Sequence, residues 1–184
     1  MQALELLLNR QSQPRLQEPA PSGPALDNIF RAALRAPDHG NLTPWRFIVC
    51  KGKGLTKLGE IFEQGAIAAD MSEKDIERAP SLPLRAPMVI IAITQYKEHA
   101  KVPWIEQVAS TACAVQAMQM AAFAQGFGGI WRTGSYAQNE EVKNAFKLAE
   151  QDEIVGFLYL GTSVIPNSPQ PSRDPNSYFE FLSE

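Results

Sequence analysis

Apolar residues recur at two periods along this chain. Leu26, Ile29, Phe30, Ala33 and Leu34 fall on one face at helical spacing, which predicts a helix over residues 24–34. Ser22 stands where an N-cap would, Pro24 falls in the first turn, and Pro37 closes the element. Residues 3–9, with Leu4, Leu6, Leu7 and Leu8, predict a short helix, and residues 55–69 a second amphipathic one. Residues 104–125 predict a long helix almost free of charge beyond Glu106, and residues 139–148 a further helix. The clearest strand is PMVIIAITQ, residues 87–95, short, β-branched and bounded by proline. Residues 45–51, 127–133 and 154–160 complete the strand set. Residues 71–85 predict a short helix and loop, and four prolines keep residues 14–24 extended. Several helices around four or five strands make an α/β or α+β layered domain.

Composition narrows this picture. The 184 residues suit one domain over 1–184, and 45% hydrophobic with 20% charged residues suits a buried core. A formal charge of -3 gives no general attraction to nucleic acid or to anionic membranes. Cys50 and Cys113 both sit in apolar stretches and read as buried free thiols, with no C-x-x-C pair and no metal site. The N-terminus lacks a basic run followed by an apolar run, so the expectation is a cytoplasmic protein. Residues 108–131 carry no charge, a length that could span a bilayer. Ser110, Thr111, Gln116, Gln119 and Gln125 lie within that stretch, and Gly126, Gly128 and Gly129 break its end. No membrane span is expected. Such a helix is buried on most faces, within one monomer or against a second subunit.

Some segments carry more than packing. RAPDHGNLTPWRF, residues 35–47, crowds charge, hydrogen-bonding capacity and an indole into a loop between helix and strand. LNRQSQPRL offers Arg10, Ser12 and Arg15, where a guanidinium and a hydroxyl two residues on can clamp a phosphate. GFGGIW is not a dinucleotide fingerprint, because its glycines follow a helix and precede a strand. No nucleophile triad, carboxylate pair or metal-ligand cluster stands out. The tail from residue 163 is polar and proline-rich, yet ends in Tyr178, Phe179, Phe181 and Leu182; these are expected to bury against a partner subunit.

Taken together and in this order, ALELLLNRQS, RAPDHGNLTPWRF, EQGAIAA, MQMAAFAQGFGGIWRTG and QDEIVGFLYLGT resemble the flavin-dependent nitroreductase family, in its short bacterial branch. The resemblance runs over nearly the whole chain and is weakest over residues 71–85 and the tail. It implies an α+β, nitroreductase-like sandwich with a central, mostly antiparallel β-sheet flanked by helices, in an intertwined homodimer. It also implies FMN at the subunit interface and NAD(P)H as reductant. On this resemblance Arg10, Gln11 and Ser12 hold the flavin, and Arg35 and His39 reach the flavin held mainly by the other subunit. Trp131, Arg132 and Thr133 lie along the flavin. Ala121, Ala122, Phe123, Ala124, Gln125 and Gly126 form a nicotinamide-binding stretch. Pro44 and Trp45 read as packing.

The pattern is not complete. The family commonly has a basic residue at Gln11 and Gln at Thr43, and larger relatives carry paired basic residues near the C-terminus where this chain has only Arg173 after Lys147. The implied activity is hydride transfer from NAD(P)H to flavin N5 and on to a flat acceptor such as a nitroaromatic, quinone or enal. The cofactor then carries the redox chemistry and no side chain need act as nucleophile. The alternative is a flavin storage or sensor protein with slow turnover.

Overall fold

A computed structural model of the chain describes residues 2–166, 168 and 173–182. Its centre is a five-stranded sheet in which every pairing is antiparallel. β5 (Glu153–Ser163) is its axis, with β3 (Met88–Thr94) on one side and β4 (Gly128–Arg132) on the other. β2 (Trp45–Lys51) pairs with the far side of β3, and β1 (Leu16–Gln17) pairs with the C-terminal end of β5. The α+β expectation therefore holds. The two-residue β1 has no periodicity to announce it, and it lies inside the stretch expected to be merely extended.

Alternation along β3 divides the core in two. Val89, Ile91 and Ile93 face one layer with Phe157, Tyr159 and helix α3 (Lys53–Ala68). Met88, Ile90 and Ala92 face the other, with Leu158, Leu160 and two helices, α2 (Gly23–Ala33) and α5 (Trp104–Ala124). Every residue of β3 is buried, the pattern of a strand covered on both faces. The short helices α4 (Glu73–Arg78) and α6 (Glu140–Ala145) lie on the α3 side. α1 (Ala3–Asn9) buries no residue at all and exposes Leu4, Leu7 and Leu8.

Three expectations shift. Ser22 occupies the N-cap position of α2 but makes no side-chain cap bond. α6 stops at Ala145 rather than residue 148, and Lys147 just beyond it takes a positive φ of 56°. Cys50 is buried, and burial raises its thiol pKa, but Cys113 is exposed. An apolar neighbourhood in sequence did not say which face of α5 Cys113 occupies. That helix buries Ala114, Val115, Met118 and Ala122 and leaves Ile105, Ala109, Cys113 and Gln116 exposed. No described helix is long and apolar enough to cross a membrane.

A bulge in β5 shapes the end of the sheet next to β4. The register between β3 and β5 shifts after Ala92, so Ala92 faces Gly156 while Ile93 faces Ile154. The carbonyl of the extra residue, Val155, accepts a hydrogen bond from the Trp131 indole Nε1 at 3.2 Å. A Cβ at Gly156 would collide with that indole and with the Arg132 carbonyl. Gly156→Ala is therefore expected to lower the unfolding free energy by about 1–3 kcal/mol, the range for overpacking a filled site. Urea unfolding followed by tryptophan fluorescence measures it, and an unchanged midpoint would mean that the bulge relaxes freely.

Candidate functional site

Three parts of the sequence meet at the outer edge of β4. The Gly129 carbonyl points away from β5 and accepts from the backbone N–H of Gln13 at 3.0 Å and from Gln119 Nε2 at 3.1 Å. This ties the Arg10–Gln13 segment to the strand that leads into Trp131–Thr133. Alternation along an antiparallel strand then turns the backbone polar groups of Trp131, and next Thr133, to the same outer side. Neither makes a turn or loop bond with another described backbone group. Arg10 closes α1, its backbone N–H donating to the Leu6 carbonyl at 3.2 Å. Its guanidinium and the exposed Ser12 hydroxyl have no hydrogen-bond or ion-pair partner among the described residues. Gln11, where the family pattern has a base, donates from Nε2 to the Ser168 carbonyl at 3.2 Å and accepts from its N–H at 3.3 Å.

The crowded loop is held at the other end of α5. Asp38 accepts from the N–H groups of Leu42 and Thr43 at 3.2 and 2.7 Å, which folds the loop around a 3-10 turn at His39–Asn41. Ser110 of α5 donates to the Pro37 carbonyl at 2.6 Å and accepts from the Trp45 indole at 3.1 Å. Pro44 is buried and Trp45 half-buried, both in packing positions. His39 Nδ1 lies 2.7 Å from Glu106 Oε2. A carboxylate only accepts, so Nδ1 carries the proton and Nε2 is left for another group. Arg35 is exposed and has no side-chain partner among the described residues. Within one chain the structure brings Arg10–Ser12 to the edge that carries Trp131–Thr133; it does not bring Arg35 or His39 there.

The stretch Ala121–Gly126 is the end of α5 and its cap. Ala122 and Phe123 are buried, and Ala124 and Gly126 exposed. Gln125 donates from Nε2 to the Ala25 and Ala121 carbonyls at 3.1 and 2.9 Å and accepts from Asn28 at 3.1 Å, joining α2 to α5. Phe123 and Gly126 line a cavity of about 270 Å³ together with Gln13 and Ser163.

Sequence reasoning missed a basic groove on the other face of β4. Arg78, Arg85 and Arg132 line a cavity of about 420 Å³ with Thr133, Tyr136 and Tyr159. The Arg132 guanidinium sits 5.7 Å from the Tyr159 ring centroid, and its Nε is buried with no partner. The available signal was alternation: Ile130 and Arg132 share a face of the strand, so an arginine stands where an apolar residue belongs.

Burial pushes the Tyr159 hydroxyl up to about 12, while the positive charges of Arg132 and Arg85 oppose the rise. In the unfolded chain this group ionises near 10, so its contribution to stability is complete below that pH and is lost as pH rises from about 10 through about 12. In a spectrophotometric titration of the native protein, Tyr159 is expected to remain protonated at about pH 11. Titration of Tyr159→Phe identifies it: the native curve should lose its latest-ionising tyrosine, and loss of an early one instead would show that the hydroxyl is not sheltered.

Comparison with known proteins shows the family and the fold. The family model described as "Nitroreductase family" matches residues 7–162. The chain is 52% identical over 177 residues to the Escherichia coli K12 protein named "Putative NAD(P)H nitroreductase YdjA", covering 94% of this chain and 97% of that one. It is 39% identical over 165 residues to the Haemophilus influenzae protein named "Putative NAD(P)H nitroreductase", covering 89% of this chain and 90% of that one. A nitroreductase-like protein from Bacillus cereus shares the fold with a TM-score of 0.86 at 20% identity, covering 100% of this chain and 97% of that one. A Bacteroides fragilis nitroreductase with bound FMN shares it at 0.75 and 20% identity over the whole of both chains. The chain belongs to the nitroreductase family.

Proposed function

We propose that this protein is an FMN-dependent NAD(P)H oxidoreductase that works as a homodimer and reduces flat acceptors such as nitroaromatics, quinones or enals. The observation that carries the reading is the edge of β4. There an open row of backbone polar groups at Trp131 and Thr133 lies beside a segment bearing the partnerless Arg10 guanidinium and Ser12 hydroxyl. A flat, heteroatom-rimmed ring with a phosphate tail fits that edge. FMN, when bound, supplies the hydride-transfer chemistry. Arg10 and Ser12 hold the phosphate, the backbone of Trp131–Thr133 meets the ring edge, and the Gln11 side chain anchors Ser168. Arg35 and His39 reach in from the partner subunit, with His39 oriented by Glu106. The nicotinamide dinucleotide approaches over Ala121–Gly126.

A dimer accounts for surface that one chain leaves bare. Leu4, Leu7 and Leu8 on α1, Leu34 after α2, Ile105 on α5, and Tyr178, Phe179, Phe181 and Leu182 in the tail are all exposed. Soluble monomers seldom leave so much large apolar surface uncovered. The partner subunit is the proposed cover for these groups, the tail included.

The reading is tested by colour. The purified protein should bind FMN and bleach anaerobically on addition of NADH or NADPH; failure to bleach leaves only a flavin carrier, and failure to bind FMN removes the proposal. Arg10→Ala should weaken FMN binding by about 1.5–3 kcal/mol, the value of a charge-assisted hydrogen bond. Equilibrium dialysis measures it, and an unchanged affinity in the Arg10→Ala, Ser12→Ala double variant would refute the clamp. A mixed dimer of one Arg10→Ala chain and one His39→Ala chain should collect both lesions at one site and leave the other intact. Two sites with one lesion each would put Arg10 and His39 on the same subunit's flavin.

A further inference from the structure

We propose that the groove formed by Arg78, Arg85 and Arg132 over the Tyr159 ring receives the anionic group of the electron acceptor, so that the preferred acceptors are aromatic compounds bearing a carboxylate. The proposal deepens the functional reading above and rests on it for the position of the flavin. Three arginines line one cavity of about 420 Å³, and no acidic residue lines it. The chain as a whole is acidic, at -3, so the basic groove runs against its general charge. Among the described residues, the only carboxylate paired with any of the three is Asp75, 3.3 Å from Arg78 on a half-exposed helix face. Arg85 has no hydrogen-bond or ion-pair partner among the described residues. Arg132 is held over an aromatic ring with its Nε buried and unsatisfied. Like charges gathered this way repel, and an incoming anion relieves the repulsion.

The rest of the groove selects a flat body for that anion. Phe62 and Tyr136 stack in its wall with ring centroids 4.4 Å apart. Guanidinium groups pair with carboxylates and also lie flat on aromatic faces, so the same side chains read both ends of an aromatic acid. The cavity is of a size to take one small aromatic ring with its substituent. Its position ties it to the reaction. Arg132 and Thr133 belong both to this groove and to the segment proposed to carry the flavin edge, so an acceptor anchored here lies next to the ring it must contact. Tyr159, kept protonated to about 12 by burial, adds a hydroxyl that remains a donor at any working pH.

Equilibrium dialysis of the purified full-length protein against labelled benzoate and labelled benzamide tests this, because the two differ chiefly in charge and neither is reduced. Benzoate is expected to bind about tenfold or more tighter, and Arg85→Gln to remove most of that preference, the loss of one charge-assisted hydrogen bond. Arg85→Lys should restore part of it. The ratio of kcat/KM for 4-nitrobenzoate over 4-nitrobenzamide should fall in parallel in Arg85→Gln. Equal affinity for the two ligands in the unsubstituted protein overturns the proposal, as does a benzoate preference that survives substitution of Arg78 and Arg85 together. If inorganic phosphate displaces benzoate at equal concentration, the groove holds a cofactor or dinucleotide phosphate, and the acceptor assignment falls. If Arg85→Gln purifies without flavin, the arginine serves FMN, with the same consequence. Dialysis reads the groove whether or not the protein is yellow, so failure of the flavin reading is seen separately.

Discussion

The carbonyl of Gly129 is the point through which the site is assembled. It accepts from the Gln13 backbone and from the Gln119 side chain, so one buried oxygen joins the N-terminal segment, the end of α5 and β4. Gln13 and Gln119 are themselves buried, and an unmet partner there would carry the full desolvation penalty. The register is therefore tight: slipping the N-terminal segment by one residue would leave Gly129 and Gln13 mismatched and carry Arg10 and Ser12 away from β4. Glycine permits the approach at the neighbouring position too, where a Cβ on Gly128 would stand 2.7 Å from Leu16 Cδ2.

The same geometry separates two sets of residues that the resemblance assigns to one flavin. Arg10 is tied through Gln13 and Gly129 to Gln119, and His39 is tied to Glu106. The two anchor points are 13 residues apart in α5 (119 minus 106), about 20 Å at 1.5 Å per residue. In a two-fold dimer with α5 packed against its copy, the start of one helix can face the end of the other, because an isologous interface presents the same patch from both sides. In the exposed stripe Ile105, Ala109, Cys113 and Gln116, the two central residues, Ala109 and Cys113, have the small side chains such an approach needs.

Long, strongly patterned elements were legible in the sequence. β3 followed from its β-branched run and α5 from its charge-free stretch, because burial on both faces leaves a continuous apolar signal. Local composition cannot decide orientation: Cys113 lies in an apolar stretch of sequence, yet it faces out. It also could not reveal long-range pairings: the Gly129 contact joins positions 13, 119 and 129, and no spacing within any one segment encodes it. Residue by residue, the proposed flavin contacts came from the resemblance and not from periodicity; what the fold adds is that Arg10–Ser12 and Trp131–Thr133 share an edge.

The arginine groove shows how a site can be hidden by ordinary surface statistics. Arg78 in a short helix and Arg85 before a strand each look like solvated surface residues in sequence. They become a set only because α3 packs tightly on the turns that follow α4, where Gly59 leaves no room for a Cβ against Pro80. That contact positions the turn at Pro83–Arg85 against the same face of the sheet from which Arg132 projects. Charge is thereby concentrated beside the proposed flavin edge, where positive potential also favours the build-up of negative charge during reduction. The groove proposed to attract an anionic acceptor and the edge proposed to hold the flavin then share one small region, and both depend on the position of Arg132 in β4.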